Sequence, residues 1–252
     1  MLFLADAGVA IHAERSFANS LRADANLPAD PYVGLGGMAY SSSFVTGKLS
    51  SIRVRARDLE VPGFGLVSVE SGASDAKVPA RSVWSGDFES TYAKKFFTNL
   101  QFDGLALGQH MGLTDLVIQN LDDVSPAGGW ETEAILEATP KGYSAPVTAV
   151  VKLRIKSGDV YFLPDHIISG PEDKETTKET PGKELNDELT QEFLDVFYLE
   201  LPGESLPLDM PPTRIYVSGG FIFVEAEKIH ATVSPRDFLP VADDKSDFEG
   251  SH

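Results

Sequence analysis

The residues able to perform acid–base or metal chemistry are few and scattered in this sequence. The five histidines stand at positions 12, 110, 166, 230 and 252, and no two have the spacing of a metal-binding pair. The chain has no cysteine, which excludes disulfides, thiolate metal ligands and cysteine nucleophiles. Neither a G-x-S-x-G nucleophile motif nor a phosphate-binding P-loop occurs. The sequence therefore indicates a protein that is not an enzyme and that uses no metal or cofactor.

Two local patterns are compatible with a cofactor-binding or catalytic site. The run from Gly34 to Ala39 fits a loose dinucleotide-binding pattern, but the strand before it is short and a strand follows it instead of a helix, so we expect no such site. Asp122 and Asp123 could serve as acid and base on lipid-linked sugars, or as Ca²⁺ ligands, yet their position before Pro126 favours a turn. An enzyme acting on lipid-linked sugars stays an alternative that depends on this pair.

Composition narrows the classes of partner. The chain has 252 residues and a formal net charge of −17, which opposes binding to nucleic acid and strong electrostatic attraction to anionic lipid. Residues 127–252 carry 24 of the 38 acidic residues. Hydrophobic residues make up 42% of the chain, enough for a substantial core. No apolar run is long enough to cross a bilayer.

The domain organisation follows from the same patterns. We expect a single domain over residues 6–240, containing a flexible acidic loop at 171–184 that lacks apolar residues to anchor it. Residues 241–252 are predicted to form a disordered tail. Residues 1–5 are apolar and are interpreted as the remnant of an export signal or anchor.

Helical spacing appears in three places. Apolar residues recur every three or four positions from Ala7 to Leu21 and predict an N-terminal helix that Pro28 stops. Asp103 is placed to cap a short helix that runs through Met111. A further helix is predicted to begin near residue 186, after the acidic loop.

Most of the remaining chain alternates with a period of two, which is typical of strands. Arg53, Arg55 and Arg57 alternate with apolar residues, so these cations should point outward. The segments 131–138 and 149–156 predict a hairpin that aligns Glu133 with Arg154.

A second hairpin is predicted around Gly219-Gly220, with aromatic residues on its second face. An antiparallel surface of this size either packs a solid core or encloses an apolar cavity, and the residues alone slightly favour the solid core.

Several segments together resemble the LmeA-like phospholipid-binding proteins from the envelopes of mycolic-acid bacteria. They occur in order over about residues 6–240. They are Asp6–Glu14, Asp30–Met38, Thr46–Lys48, Leu105–Gly108, Asp122–Pro126, Glu131–Ala134, Leu206–Leu208, Ile215–Ile222 and Val233–Pro240.

The resemblance implies a tubular lipid-binding (TULIP-like) α+β fold. In such a fold a long curved antiparallel β-sheet wraps around an N-terminal helix and encloses an apolar lipid cavity. We expect apolar strand and helix faces to line that cavity. The residues expected to line it are Phe17, Leu21, Ile52, Val54, Val67, Val69, Leu107, Met111, Leu116, Ile118, Leu136, Val151, Leu153, Phe221 and Phe223.

The resemblance also implies a function. The expected protein is a non-catalytic phospholipid carrier of the cell envelope, exported to the periplasm, that supports lipomannan elongation. Its expected partners are phospholipid, including phosphatidylinositol types, a membrane in transient contact, and an envelope glycosyltransferase. A scaffold partner of a membrane glycosyltransferase, with a filled core, stays the main alternative.

Overall fold

The computed structural model describes residues 2–36, 40, 42–61, 63–85, 88, 90–121, 129–170 and 187–240. The fold is α+β and antiparallel, as predicted. The helices are α1 (Leu2–Asp24), α2 (Ser42–Thr46), α3 (Ala80–Ser85), α4 (Gly104–Met111) and α5 (Asp187–Val196). The strands are β1 (Tyr32–Gly36), β2 (Lys48–Val61), β3 (Gly65–Lys77), β4 (Thr91–Phe102), β5 (Val117–Asn120), β6 (Glu131–Ala138), β7 (Val147–Lys156), β8 (Asp159–Ser169), β9 (Leu199–Leu201), β10 (Arg214–Ser218) and β11 (Phe221–Val233).

The strands form two sheets, whereas the sequence predicted one long sheet. The six-stranded sheet has the order β1-β2-β3-β4-β11-β10, and the five-stranded sheet has the order β5-β6-β7-β8-β9. The chain leaves the first sheet through α4, which follows β4 directly, and returns to it at β10. Within the described part of the chain neither sheet closes into a barrel, because its two edge strands do not pair with each other.

Helix α1 ends at Asp24, before the proline that was predicted to stop it. Its buried face includes Ala13, Phe17 and Leu21, spaced four residues apart, and Ala18 next to Phe17. The Phe17 ring meets the rings of Phe88 and Phe238 edge-on at centroid distances of 4.8 and 5.9 Å. This face joins the helix to the core of the first sheet.

The two later helices confirm their sequence signals. Asp103 accepts a hydrogen bond from the backbone N–H of Ala106 at 2.7 Å, and Gly112 ends α4 with a φ of 71°. Helix α5 begins at Asp187 and leads to Phe193 and Phe197, both buried.

The hairpin of β6 and β7 has the predicted faces but a different register. Glu131 lies opposite Arg154 and Glu133 opposite Lys152, two residues away from the predicted pairing. The ladder stops at Ala138 because the connection, residues 139–146, begins and ends near prolines that have no N–H to donate. Charge alternation alone therefore predicts the face of these residues and not their partner.

The hairpin of β10 and β11 is confirmed. Ser218 pairs with Phe221 across Gly219 and Gly220, whose φ angles of 58° and 83° match a two-residue turn. Its inner face is buried and joins the core.

The apolar side of the long strands changes between even and odd positions. On β2 the buried positions include Leu49, then even positions from Ile52 to Ala56, then Leu59. The pairing with β3 shifts register between Ala56 and Leu59, where Asp58 has a left-handed φ of 53°. Such irregularities bend a strand and increase its twist, so the curvature of this sheet comes from local breaks in the alternation.

Candidate functional site

The apolar residues predicted to line a cavity mostly share one interior. Twelve of the fifteen are buried and belong to one contiguous core that includes the inner faces of both sheets, and Met111 packs against it half-buried. The twelve are Phe17, Leu21, Ile52, Val54, Val67, Val69, Leu107, Leu116, Ile118, Leu136, Val151 and Leu153.

Phe221 and Phe223 lie elsewhere. They are half-buried on the outer face of β11, where Phe223 stacks on Tyr216 with ring centroids 4.7 Å apart. Asn99 donates a hydrogen bond to the Tyr216 hydroxyl at 2.7 Å. These aromatic residues cover the outside of the first sheet and do not face the interior that the other thirteen share.

Among the described residues, Glu225 is the one buried side chain that carries a charge, and it pairs with Arg214 on the outer side of the first sheet. The buried polar groups of the interior include the hydroxyls of Ser71 and Thr98, which bond to each other at 3.1 Å. The buried Tyr40 hydroxyl donates to the Val83 carbonyl at 2.6 Å, and burial raises the pKa of this tyrosine well above its usual range. A neutral, hydrogen-bonded interior of this kind can accept apolar chains without leaving a charge desolvated.

The arginines of β2 confirm their predicted direction. Arg53 and Arg55 point outward and pair with Glu70 at 3.3 and 3.0 Å. Arg57 is also exposed. None of them reaches the interior, because they alternate with its buried residues.

The pockets that the described residues form on the surface include two of several hundred cubic ångströms. One, of about 520 Å³, lies between the turn at 157–159 and residues 202–211. The other, of about 410 Å³, lies between residues 27–32 and the stretch 55–59 of β2. None of the residues predicted to line a cavity borders either pocket.

The histidines of the described ranges sit singly in ordinary contacts. The His110 ring packs 4.3 Å from that of Phe64, and burial lowers the pKa of His110. His166 lies 2.8 Å from the carboxylate of Asp165. Within the described part of the chain, no group of three His, Asp or Glu residues is arranged to hold a metal ion. Asp122 and Asp123 lie outside the described residues.

None of the helices that the described ranges contain has both the length and the apolar character needed to span a bilayer.

These observations define a class of protein: an α+β protein whose two open antiparallel sheets share one neutral, apolar interior. The chain matches the family model described as LmeA-like phospholipid-binding over residues 4–227, and it therefore belongs to that family. The match confirms the resemblance seen in the sequence and supports lipid binding. Comparisons with curated proteins and with solved structures found no match.

Proposed function

We propose that this protein is a non-catalytic phospholipid carrier of the cell envelope that supports lipomannan elongation. The observation that carries the proposal is the shared interior, which is apolar, neutral and bordered by sheets that do not close into a barrel. Membership of a phospholipid-binding family supports phospholipid as the ligand class. The proposed ligand is a phospholipid with a headgroup of the phosphatidylinositol type.

The energetics favour a carrier over free diffusion of the lipid. Exposing an acyl methylene to water costs about 0.8 kcal/mol, so a two-chain lipid with roughly 30 methylenes does not cross water unaided. An apolar protein interior cancels most of that cost because the bilayer and the protein are both dry. Transfer in either direction can then be nearly neutral in free energy.

Loading must displace existing contacts. Val69 of β3 and Leu100 of β4 are neighbours on the inner face of the first sheet, and both side chains are buried in the core. Acyl chains that replace the core contacts of such side chains would lie along the inner faces of the sheets. The sheets can separate without breaking the hydrogen bonds inside either one, since each sheet is a complete ladder of its own.

Export to the periplasm or envelope is part of the proposal. The resemblance of the sequence to envelope proteins supports this location. An envelope glycosyltransferase is the proposed protein partner, because lipomannan elongation needs one.

Native mass spectrometry of the freshly purified chain tests the carrier function, with lipids identified from an organic extract. We expect one phospholipid per chain. A chain that stays bare after incubation with phospholipid vesicles would contradict the proposal.

A scaffold role is the second candidate, and one observation favours it. The twelve buried residues predicted to line a cavity pack in a contiguous core. A scaffold would stay bare in native mass spectrometry and would co-purify with a membrane glycosyltransferase.

A further inference from the structure

One end of the molecule exposes large apolar side chains on three helices. Val45 of α2 is 90% exposed, Trp84 of α3 is 56% exposed and Ile11 of α1 is 47% exposed. The ring of Trp84 lies 5.9 Å from that of His12, the residue next to Ile11. We call Ile11, Val45 and Trp84, together with Lys48 and Lys77, the helical tip.

The strands bring α2 and α3 to the same end of the first sheet. Helix α2 leads into the start of β2, and α3 follows the end of β3. These strand ends meet, because Lys48 pairs with Lys77 and the N–H of Val78 donates to the carbonyl of Gly47 at 3.0 Å.

Helix α1 extends toward this end as well. It runs antiparallel to β1, since Glu14 accepts from the N–H of Leu35 at 2.9 Å and Arg22 pairs with Asp30 at 3.2 Å. The start of the helix therefore passes the end of β1. The twelve residues that precede Glu14 extend about 18 Å at the helical rise, and the first of them have an apolar sequence.

The helical tip also carries the positive charge of two lysines. Lys48 and Lys77 form no ion pair among the described residues, and the Lys77 ammonium instead lies 5.0 Å from the Tyr92 ring. Other lysines do pair with acids, for example Lys95 with Glu227 at 2.5 Å. The two lysines thus place positive charge at this end of a chain whose net charge is −17.

We propose that the helical tip docks on the surface of a bilayer that contains anionic phospholipid. Trp84 and Val45 enter the headgroup region, and the two lysines lie beside lipid phosphates. Tryptophan favours this boundary because its ring is apolar and its N–H needs a polar partner. The acidic body is repelled by the same membrane, so charge orients the tip toward it. This inference rests on the proposed function, since a carrier must meet the membrane that holds its lipid.

Co-flotation of the full chain with vesicles tests the apolar contact. The vesicles contain phosphatidylcholine alone or phosphatidylcholine with phosphatidylglycerol. We expect Val45→Asp to weaken binding about tenfold, because it removes an inserted apolar group and adds a negative charge. Ile168→Asp is the matched control: Ile168 is 52% exposed on the second sheet, and its substitution should leave binding unchanged.

The contribution of the lysines is tested by comparing two double variants that have the same net charge. Lys48→Ser with Lys77→Ser should weaken binding to the anionic vesicles by about fivefold per lysine and leave the neutral vesicles little affected. Lys141→Ser with Lys156→Ser removes the same charge from the exposed surface of the second sheet and should have no such effect. Equal losses in both double variants would overturn the proposal, because only net charge would then matter.

Tryptophan fluorescence reports the contact directly. The Trp130→Phe variant keeps Trp84 as its single tryptophan, and its emission should shift to the blue when anionic vesicles are added. The Trp84→Phe variant keeps Trp130, which is 63% exposed next to Arg154, and its emission should not shift. A shift of Trp130 alone would place the contact on the second sheet and overturn the proposal.

The experiments distinguish a wrong docking surface from a wrong carrier function. A chain that carries a phospholipid adduct, yet binds vesicles equally well with and without Val45→Asp, refutes only the docking surface. A chain that shows no adduct but flotation dependent on the helical tip supports the docking surface and refutes the carrier. If the wild-type chain binds no vesicle and the tip instead captures a membrane protein, docking on lipid is refuted.

Discussion

At the scale of single residues, the polar groups of the interior form hydrogen bonds with one another or with the backbone. The Ser71 and Thr98 hydroxyls satisfy each other, and Tyr40 donates to a backbone carbonyl. Glu225 is buried but accepts hydrogen bonds from Arg214 on the outer side of the sheet. Burying such groups costs little once they are paired, so the interior can exchange protein contacts for acyl chains without exposing an unpaired polar group.

The first prediction concerns Val69, which is buried on the inner face of β3. Val69→Trp should fill space that a bound acyl chain needs and should lower the fraction of lipid-loaded protein at least fivefold. Overpacking should also cost about 1–3 kcal/mol of folding stability. Native mass spectrometry and thermal unfolding measure the two effects separately.

Val150→Trp is the control for this experiment. Val150 is also buried, but it lies on β7 and does not belong to the contiguous core that forms the interior. It should lose similar stability and keep its lipid. Normal lipid loading in Val69→Trp would show that Val69 does not contact the ligand.

The second prediction concerns pH. Burial lowers the pKa of His110, whose ring packs against Phe64, so the folded state favours the neutral ring. The ordinary pKa of histidine is about 6.5. As the pH falls through this value, the unfolded chain therefore binds more protons than the folded chain. The stabilising contribution is complete above that pH and is lost as the pH falls through the folded-state pKa.

Thermal unfolding from pH 8 to pH 5 measures this contribution. The midpoint of the wild type should fall more steeply below pH 6.5 than that of His110→Gln. Parallel curves for the two proteins would show that His110 does not titrate differently in the folded and unfolded chains.

At the scale of elements, features that depend on neighbouring residues could be predicted from the sequence, and features that depend on tertiary structure could not. The cap at Asp103, the turn at Gly219-Gly220 and the start of α5 follow from short-range rules, and all three are confirmed. Helices α2 and α3 were missed because each is shorter than two turns and shows no periodicity. Trp84 and Val45 were missed with them.

The division into two sheets was also missed, for a physical reason. Each strand shows the same alternation whichever sheet it joins, since the pattern reports only that one face is buried. Sheet membership depends on where α4 redirects the chain. The candidate interior was more accessible to sequence analysis: twelve of its residues were identified from alternation and helical spacing, whereas the breaks at Asp58, Asp75 and His230 left no clear signal.

The third prediction concerns that redirection. A Cβ added to Gly104, the first residue of α4, would overlap the backbone carbonyl of Leu116 at the start of the second sheet. Gly104→Ala should therefore cost about 2–4 kcal/mol, because backbone cannot move aside as a side chain can. Denaturant unfolding measures the loss.

Gly8→Ala is the matched substitution. A Cβ at this helical position of α1 meets no atom within 4 Å, so the change should stabilise the chain by about 0.5–1 kcal/mol. Equal effects of the two substitutions would show that α4 does not depend on the close approach to Leu116.

At the scale of the whole molecule, the two sheets meet along a narrow seam. Gly129, which lies just before β6, and Ile215 of β10 exchange backbone hydrogen bonds of 3.3 and 2.7 Å. The ladders inside each sheet are far more extensive. Opening the seam, or moving α1 away from the first sheet, would therefore break fewer backbone hydrogen bonds than separating strands within either sheet.

The fourth prediction follows from this difference and is tested by hydrogen exchange of the bare and lipid-loaded chain. Loading should change the exchange of the Ile215 amide and of α1, while amides in the centre of β3 and β4 stay protected in both states, because loading spares their ladder. Glycerophosphate, which has the phosphate but no acyl chains, should change neither region. If lipid binds and both regions exchange as in the bare chain, the acyl chains do not enter the shared interior. The ligand would then lie on the surface, and the carrier function would need a different binding site.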